Sequence, residues 1–217
     1  MTTNSTVDAP PFAVVAARTS AAAIVAYQVL LLVTIFIRPD LDPVHQPVSE
    51  YAIGRHGWVM TLAFLTAAVS YASLLVALRP VVHGRAGRAG LGVLGACALG
   101  TAGVGVFIAD PLATPLSELT TIGTLHVISG LSALLLLPLA AVLLGTGLAR
   151  GATTASAVLR WTAWLPVAGL VLHWILSAMI PPEGWPPRVL FMTYAAWLLA
   201  LSAHIRTPTR QTTPSQG

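Results

Sequence analysis

The chain has 217 residues, of which 56% are hydrophobic and only 8% charged, with a mean hydropathy of +0.81. An ordinary soluble domain carries roughly 25% charged residues, so a water-soluble fold is excluded and lipid must solvate much of the surface. The formal net charge of +4 comes without a basic cluster or aromatic platform, which excludes a nucleic-acid partner, and the lone Cys97 excludes an intrachain disulfide or CxxC metal site.

Residues 1–18 form a polar N-terminal tail, broken by Asp8, Pro10 and Pro11 and lacking the basic start of a signal peptide. Six apolar segments follow, at 19–37, 57–78, 89–109, 122–148, 160–180 and 187–205. Each holds about 20 residues or more, enough to cross a hydrocarbon core of about 30 Å. Charged residues fall only at their ends. Backbone groups in lipid must be satisfied within the segment, which predicts helices, and the lack of period-two alternation excludes an outer-membrane barrel. The expected fold is all-α: a polytopic membrane protein, with a bundle of six transmembrane helices across residues 19–205. Residues 206–217 are polar and have the composition of a disordered tail.

Arginine positions predict orientation. Arg18, Arg79, Arg85, Arg88, Arg150, Arg160, Arg206 and Arg210 share the side of the termini, against Arg38, Arg55 and Arg188 on the other. This positive-inside bias predicts a cell-membrane protein with both termini cytoplasmic. All acidic residues except Asp8 fall on the outer side. The inner connections are small tethers, including 151–158. The outer loops are punctuated by proline, which restricts them.

The third segment carries Gly92, Ala96 and Gly100 at four-residue spacing, with Gly95 and Gly103 beside them. Such a stripe lets helices approach closely, within one chain or in a homo-oligomer. Pro138 and Pro166 predict kinks in the fourth and fifth helices.

Polar side chains within a membrane bundle are functional candidates, although many only join helices. Asp110 stands just beyond the third segment, where the negative helix end calls for a compensating partner such as Arg55 or a histidine. His126 shares a small, polar face of the fourth helix with Ser129 and Gly130. His173 lies between Gly169 and Ser177 in the fifth. In the first outer loop, Ser49 suits a helix N-cap with Glu50 in the first turn, and Gly54 and Gly57 permit the entry to the second helix. Arg55 would compensate the carboxylates. Together Asp110, His126, His173, Ser49, Glu50 and Arg55 define a candidate outer pocket. Asp110, His126 and His173 could supply the three protein ligands of a zinc site, and the two histidines could instead ligate a haem.

The strings Pro47-Val48-Ser49-Glu50-Tyr51-Ala52-Ile53-Gly54, Phe107-Ile108-Ala109-Asp110-Pro111 and Gly123-Thr124-Leu125-His126 resemble, in order and spacing, the bacterial and archaeal membrane family called domain of unknown function 998. The resemblance spans nearly all six segments and implies a small six-helix membrane protein, with its chemistry left open. That family commonly shows Asp where this chain has Glu50, which preserves the charge. Ser49, Asp110, His126 and His173 also echo the serine, aspartate and histidines of zinc-dependent membrane hydrolases of the alkaline-ceramidase and adiponectin-receptor type. That pattern expects seven helices and a third histidine, which has no counterpart here.

The leading functional expectation is a non-enzymatic membrane protein whose outer polar pocket binds a lipid headgroup, small ligand or partner. A zinc-dependent intramembrane lipid hydrolase is the alternative, followed by a transporter, for which no internal repeat is visible, and a haem protein.

Overall fold

A computed structural model describes residues 9–148, 160–179 and 184–206. The first eight residues, the 151–158 connection and the tail from 207 onward lie outside the described residues, as do most of the third outer loop and Ile180. Every regular element among the described residues is helical: α1 (Pro11–Ile37), α2 (Gly57–Leu78), α3 (Gly84–Val106), α4 (Thr121–Leu148), α5 (Leu165–Met179) and α6 (Trp185–Arg206), with 3-10 turns at Val48–Ala52 and Leu116–Glu118. Six are long and apolar enough to cross a membrane, the fifth counted as Arg160–Met179.

Two helices depart from the expected bounds. α1 starts at Pro11 and not at residue 19, which shortens the N-terminal tail. Proline is tolerated in a first turn because its missing N–H has no partner to lose there, and Ala13, Ala16 and Ala17 favour continuation. With 27 residues, α1 is about 40 Å long and exceeds the bilayer core. α3 stops at Val106, because Phe107 adopts an extended conformation. Asp110 therefore stands in the α3–α4 loop and does not terminate α3.

Each helix packs on its neighbour in sequence, and α6 packs on α1, which closes a ring. α2 also meets α6 and the Val48–Ala52 turn. The closest approach joins α3 to α4, through a stripe that differs from the expected one. A Cβ at Gly100 would stand 2.9 Å from the Ser129 carbonyl oxygen, one at Gly103 would overlap the Ser129 hydroxyl, and one at Gly147 would stand 2.6 Å from the Gly87 Cα. Gly92 faces open space. The tight partner lies in the same chain, and contact follows Gly87, Gly90, Gly100 and Gly103.

The outward faces are apolar. Val29, Leu32, Phe36, Leu99, Leu131 and Leu139 are exposed, a surface that would aggregate in water but is solvated by lipid. Exposed tryptophans mark both ends of the bundle. Trp58 and Trp185 open α2 and α6, while Trp161 and Trp164 lie at the opposite end, beside the start of α5. Indole rings favour the headgroup level. The protein is a six-span membrane protein.

At the distal end, where α1 finishes and α2 begins, Gly54 and His56 take left-handed conformations. Gly57 has a different role from the one expected: a side chain there would run into the Ala52 carbonyl. Ser49 is no N-cap. It lies within the Val48–Ala52 turn, whose capping residue is Pro47. Pro166 falls in the first turn of α5, immediately after the break at Ala163 and Trp164, so it opens that helix and does not kink its middle.

Candidate functional site

In the distal half of the ring, small side chains at facing positions leave a cavity of about 200 Å³. α1 contributes Ile24 and Tyr27; α2 contributes Phe64, Ala67 and Tyr71; and α3 contributes Thr101 and Val104. α4 supplies His126, Gly130, Ala133 and Leu134; α6 supplies Pro187, Phe191 and Tyr194; and Pro47, Val48 and Ser49 complete the lining. Ala67, Gly130 and Ala133 are what make the space, since larger residues would fill it. Among the described residues, no carboxylate and no permanently charged cation appears in this lining.

The polar atoms around the cavity fall into two groups. The first is committed to the protein. The Tyr194 hydroxyl donates to the Leu134 carbonyl at 2.6 Å. His126 Nδ1 lies 2.6 Å from the carbonyl oxygen of Phe107, just past the end of α3. A carbonyl only accepts, so Nδ1 carries the proton, and in the neutral imidazole Nε2 is left as an acceptor. The ring also meets Phe64 edge-on, with centroids 6.5 Å apart.

The second group is unassigned. Thr101 is 7% exposed, and its hydroxyl oxygen is buried without a hydrogen-bond partner among the described residues. Threonine in a helix ordinarily bonds back to a carbonyl of the preceding turn, as Thr34 and Thr66 do. The hydroxyls of Tyr27 and Tyr71 likewise make no hydrogen bond among the described residues. A buried hydroxyl without a partner is costly, which makes the Thr101 oxygen informative.

The other candidates from the sequence go elsewhere. Asp110 accepts the Thr120 N–H at 2.7 Å and the Thr120 hydroxyl at 3.0 Å. Thr120 in turn accepts the Gly123 N–H at 3.0 Å, as the N-cap of α4. The compensating positive end is thus that of α4, and neither Arg55 nor a histidine partners the carboxylate. Glu50 accepts the Leu112 N–H at 2.6 Å and so fastens the first distal loop to the second. Arg55 is exposed and forms no ion pair among the described residues; with His56, Arg38 and Asp40 it lines a separate surface depression. His173 lies on α5, which contributes nothing to the cavity among the described residues, and its ring lies beside that of Trp174, tilted by 57°.

Among the described residues no group of three or more His, Cys, Asp or Glu side chains is placed to hold a metal ion. The donor set expected for zinc does not assemble: Asp110 holds Thr120, the cap of α4, His126 holds the end of α3, and His173 is on a helix outside the cavity.

Arg188, which the sequence marks only as an outer arginine, stands out in the structure. It is 5% exposed, and one guanidinium nitrogen donates to the carbonyls of Pro43, Gln46 and Gly184 at 3.1, 3.1 and 2.6 Å. The guanidinium also covers the Tyr51 ring at 5.3 Å. Burial pushes the Tyr51 phenol above its ordinary pKa, with Arg188 pulling the other way. This residue clamps the first distal loop onto α6. Nearby, Arg38 pairs with Asp40 at 2.8 Å and donates to the Ile53 carbonyl at 2.7 Å. That hydrogen bond holds Asp40 below the usual carboxylate range.

The family model described as "Protein of unknown function (DUF998)" matches residues 20–204. The chain belongs to the DUF998 family. The match runs from the early turns of α1 to the end of α6, so it takes in the ring, the cavity and the distal loops. No curated protein and no solved structure matches the chain.

Proposed function

We propose that this DUF998 protein is a binding protein of the cell membrane, with cytoplasmic termini, that holds a largely apolar, lipid-like molecule in the cavity between α1, α2, α3, α4 and α6. The observation that carries the reading is the buried Thr101 hydroxyl, without a partner among the described residues in a mostly apolar chamber. Most buried polar atoms in a packed core are hydrogen-bonded, and the unpartnered Thr101 oxygen belongs to a residue of the cavity lining. At about 200 Å³, the chamber is smaller than the roughly 300–1,000 Å³ of drug-sized sites. It suits a chain segment or a compact molecule better than a whole phospholipid. Eight of the eleven arginines lie on the side of the termini, which supports the orientation.

The reading departs from the sequence expectation in position and polarity. The candidate chamber is internal and mostly apolar, and of the expected pocket residues only Ser49 and His126 line it.

The test is lipid extraction and mass spectrometry of purified protein beside Gly130→Leu and Ala133→Phe. A Cβ at Gly130 meets nothing closer than Val104 at 3.8 Å, so a larger residue enters the chamber without striking backbone. The expected result is a co-purifying apolar compound retained by the natural chain and lost from both folded variants. The same compounds in all three would sink the reading.

A further inference from the structure

The cavity's polar atoms also state what kind of head group a ligand needs, an argument that rests on the binding reading above. Among the described residues, no side chain in the lining carries a carboxylate or a permanent positive charge. An anionic head group, fatty acid or phosphate, would therefore enter a low-dielectric chamber unpaired, which is strongly unfavourable. The buried cation at this end, Arg188, is absent from the lining and is held by three backbone carbonyls and the Tyr51 ring. A pure hydrocarbon would fill the space but leave the Thr101 hydroxyl as unsatisfied as before.

What the chamber offers is one fixed acceptor and several hydroxyl donors. His126 cannot turn to donate through Nε2 without giving up the Phe107 carbonyl, so Nε2 presents a lone pair. The Thr101, Tyr27 and Tyr71 hydroxyls can each donate. An alcohol complements both, because its O–H donates while its oxygen accepts. A ketone, ester or ether satisfies only the hydroxyl donors and leaves Nε2 bare.

We infer that the cavity takes an uncharged, hydroxyl-bearing lipid, whose O–H donates to His126 Nε2 and whose oxygen accepts from the Thr101 hydroxyl. A long-chain alcohol is the simplest member of this class.

The experiment uses the full chain in nanodiscs, with empty nanodiscs as the partition blank, and equilibrium dialysis of radiolabelled 1-decanol, decyl methyl ether, decane and decanoate at pH 8. The expected result is saturable decanol binding about tenfold tighter than that of the ether, the size of one lost buried hydrogen bond, with decane weaker still and decanoate unbound. Thr101→Val keeps the side-chain shape, and His126→Asn keeps a donor for the Phe107 carbonyl while removing the Nε2 acceptor. Each should lower decanol affinity about tenfold and leave decane unchanged. Decanoate binding as tightly as decanol overturns the inference, as does equal binding of decanol and its ether, or undiminished decanol binding in both variants. If the four probes bind equally and Gly130→Leu abolishes all of them, the chamber is a binding site and only the head-group assignment fails. If none binds saturably and Gly130→Leu changes nothing, the binding reading itself falls.

Discussion

Tyr194 on α6 serves the carbonyl that Pro138 leaves without a helical partner on α4. In an α-helix the residue four positions on donates to each carbonyl, and for Leu134 that residue is Pro138, which has no N–H. The Tyr194 hydroxyl takes its place at 2.6 Å and bridges two helices across the cavity wall. Removing the hydroxyl by Tyr194→Phe leaves a buried carbonyl unsatisfied and should cost about 1–2 kcal/mol. Pro138→Ala returns an N–H to α4, so the same Tyr194→Phe change should cost less than half as much in that background. Unfolding of the four chains in a denaturing-detergent titration measures the coupling. Equal costs in both backgrounds would show that the tyrosine does not answer the proline.

That relationship also marks where the sequence stops being legible. The spans followed from hydropathy and length, because lipid enforces both. Their ends are less legible where a local signal competes with hydropathy, as at Pro11 and Phe107. Which polar groups meet was mostly hidden. Asp110 reads as a carboxylate at the wrong end of α3 until the loop returns it to the start of α4, a contact set by tertiary geometry. The tyrosines carried a signal that hydropathy scales blur. Tyr27, Tyr71 and Tyr194 each place a hydroxyl inside an apolar span, and each hydroxyl needs a partner. Arg188 could have been singled out by the same logic, as a cation in the first turn of a membrane helix.

Asp110 should act on stability through Thr120. Its carboxylate orients the residue that caps α4, so Asp110→Ala should cost about 1 kcal/mol, typical of a lost N-cap. Asp110→Asn keeps an acceptor and should cost less. A side chain at Gly123 would overlap the same carboxylate, so Gly123→Ala should displace Asp110 and add little to Asp110→Ala. Thermal unfolding of the single and double variants decides this, and fully additive losses would exclude the shared mechanism.

Glu50 and Arg55 should behave differently although they lie five residues apart. Glu50→Ala removes the acceptor of the Leu112 N–H and should speed amide exchange at Leu112 about tenfold, the equivalent of about 1.4 kcal/mol. Glu50→Gln retains the oxygen and should restore much of the protection. Arg55→Ala touches no ion pair among the described residues and should leave exchange in the 112–118 loop unchanged. Hydrogen exchange read by mass spectrometry on the three variants separates the roles.

Acid should loosen the first distal loop. Asp40 is held below its ordinary pKa first by the hydrogen bond from Arg38, and Asp42 first by the Val44 N–H and then by His45. A carboxylate whose folded pKa lies below its unfolded value contributes stability that is complete above the unfolded value, near 4, and is lost as pH falls through the folded one. Exchange protection across residues 38–53 should therefore stay level from about pH 8 to 5 and decline below about 4. Both carboxylates are exposed to water, which keeps the effect small and sensitive to salt. The Asp40→Asn/Asp42→Asn double variant should start with less protection and lose little more in acid. An equal acid-induced loss in that variant would place the titrating group elsewhere, with Glu50 on the Leu112 amide the next to test.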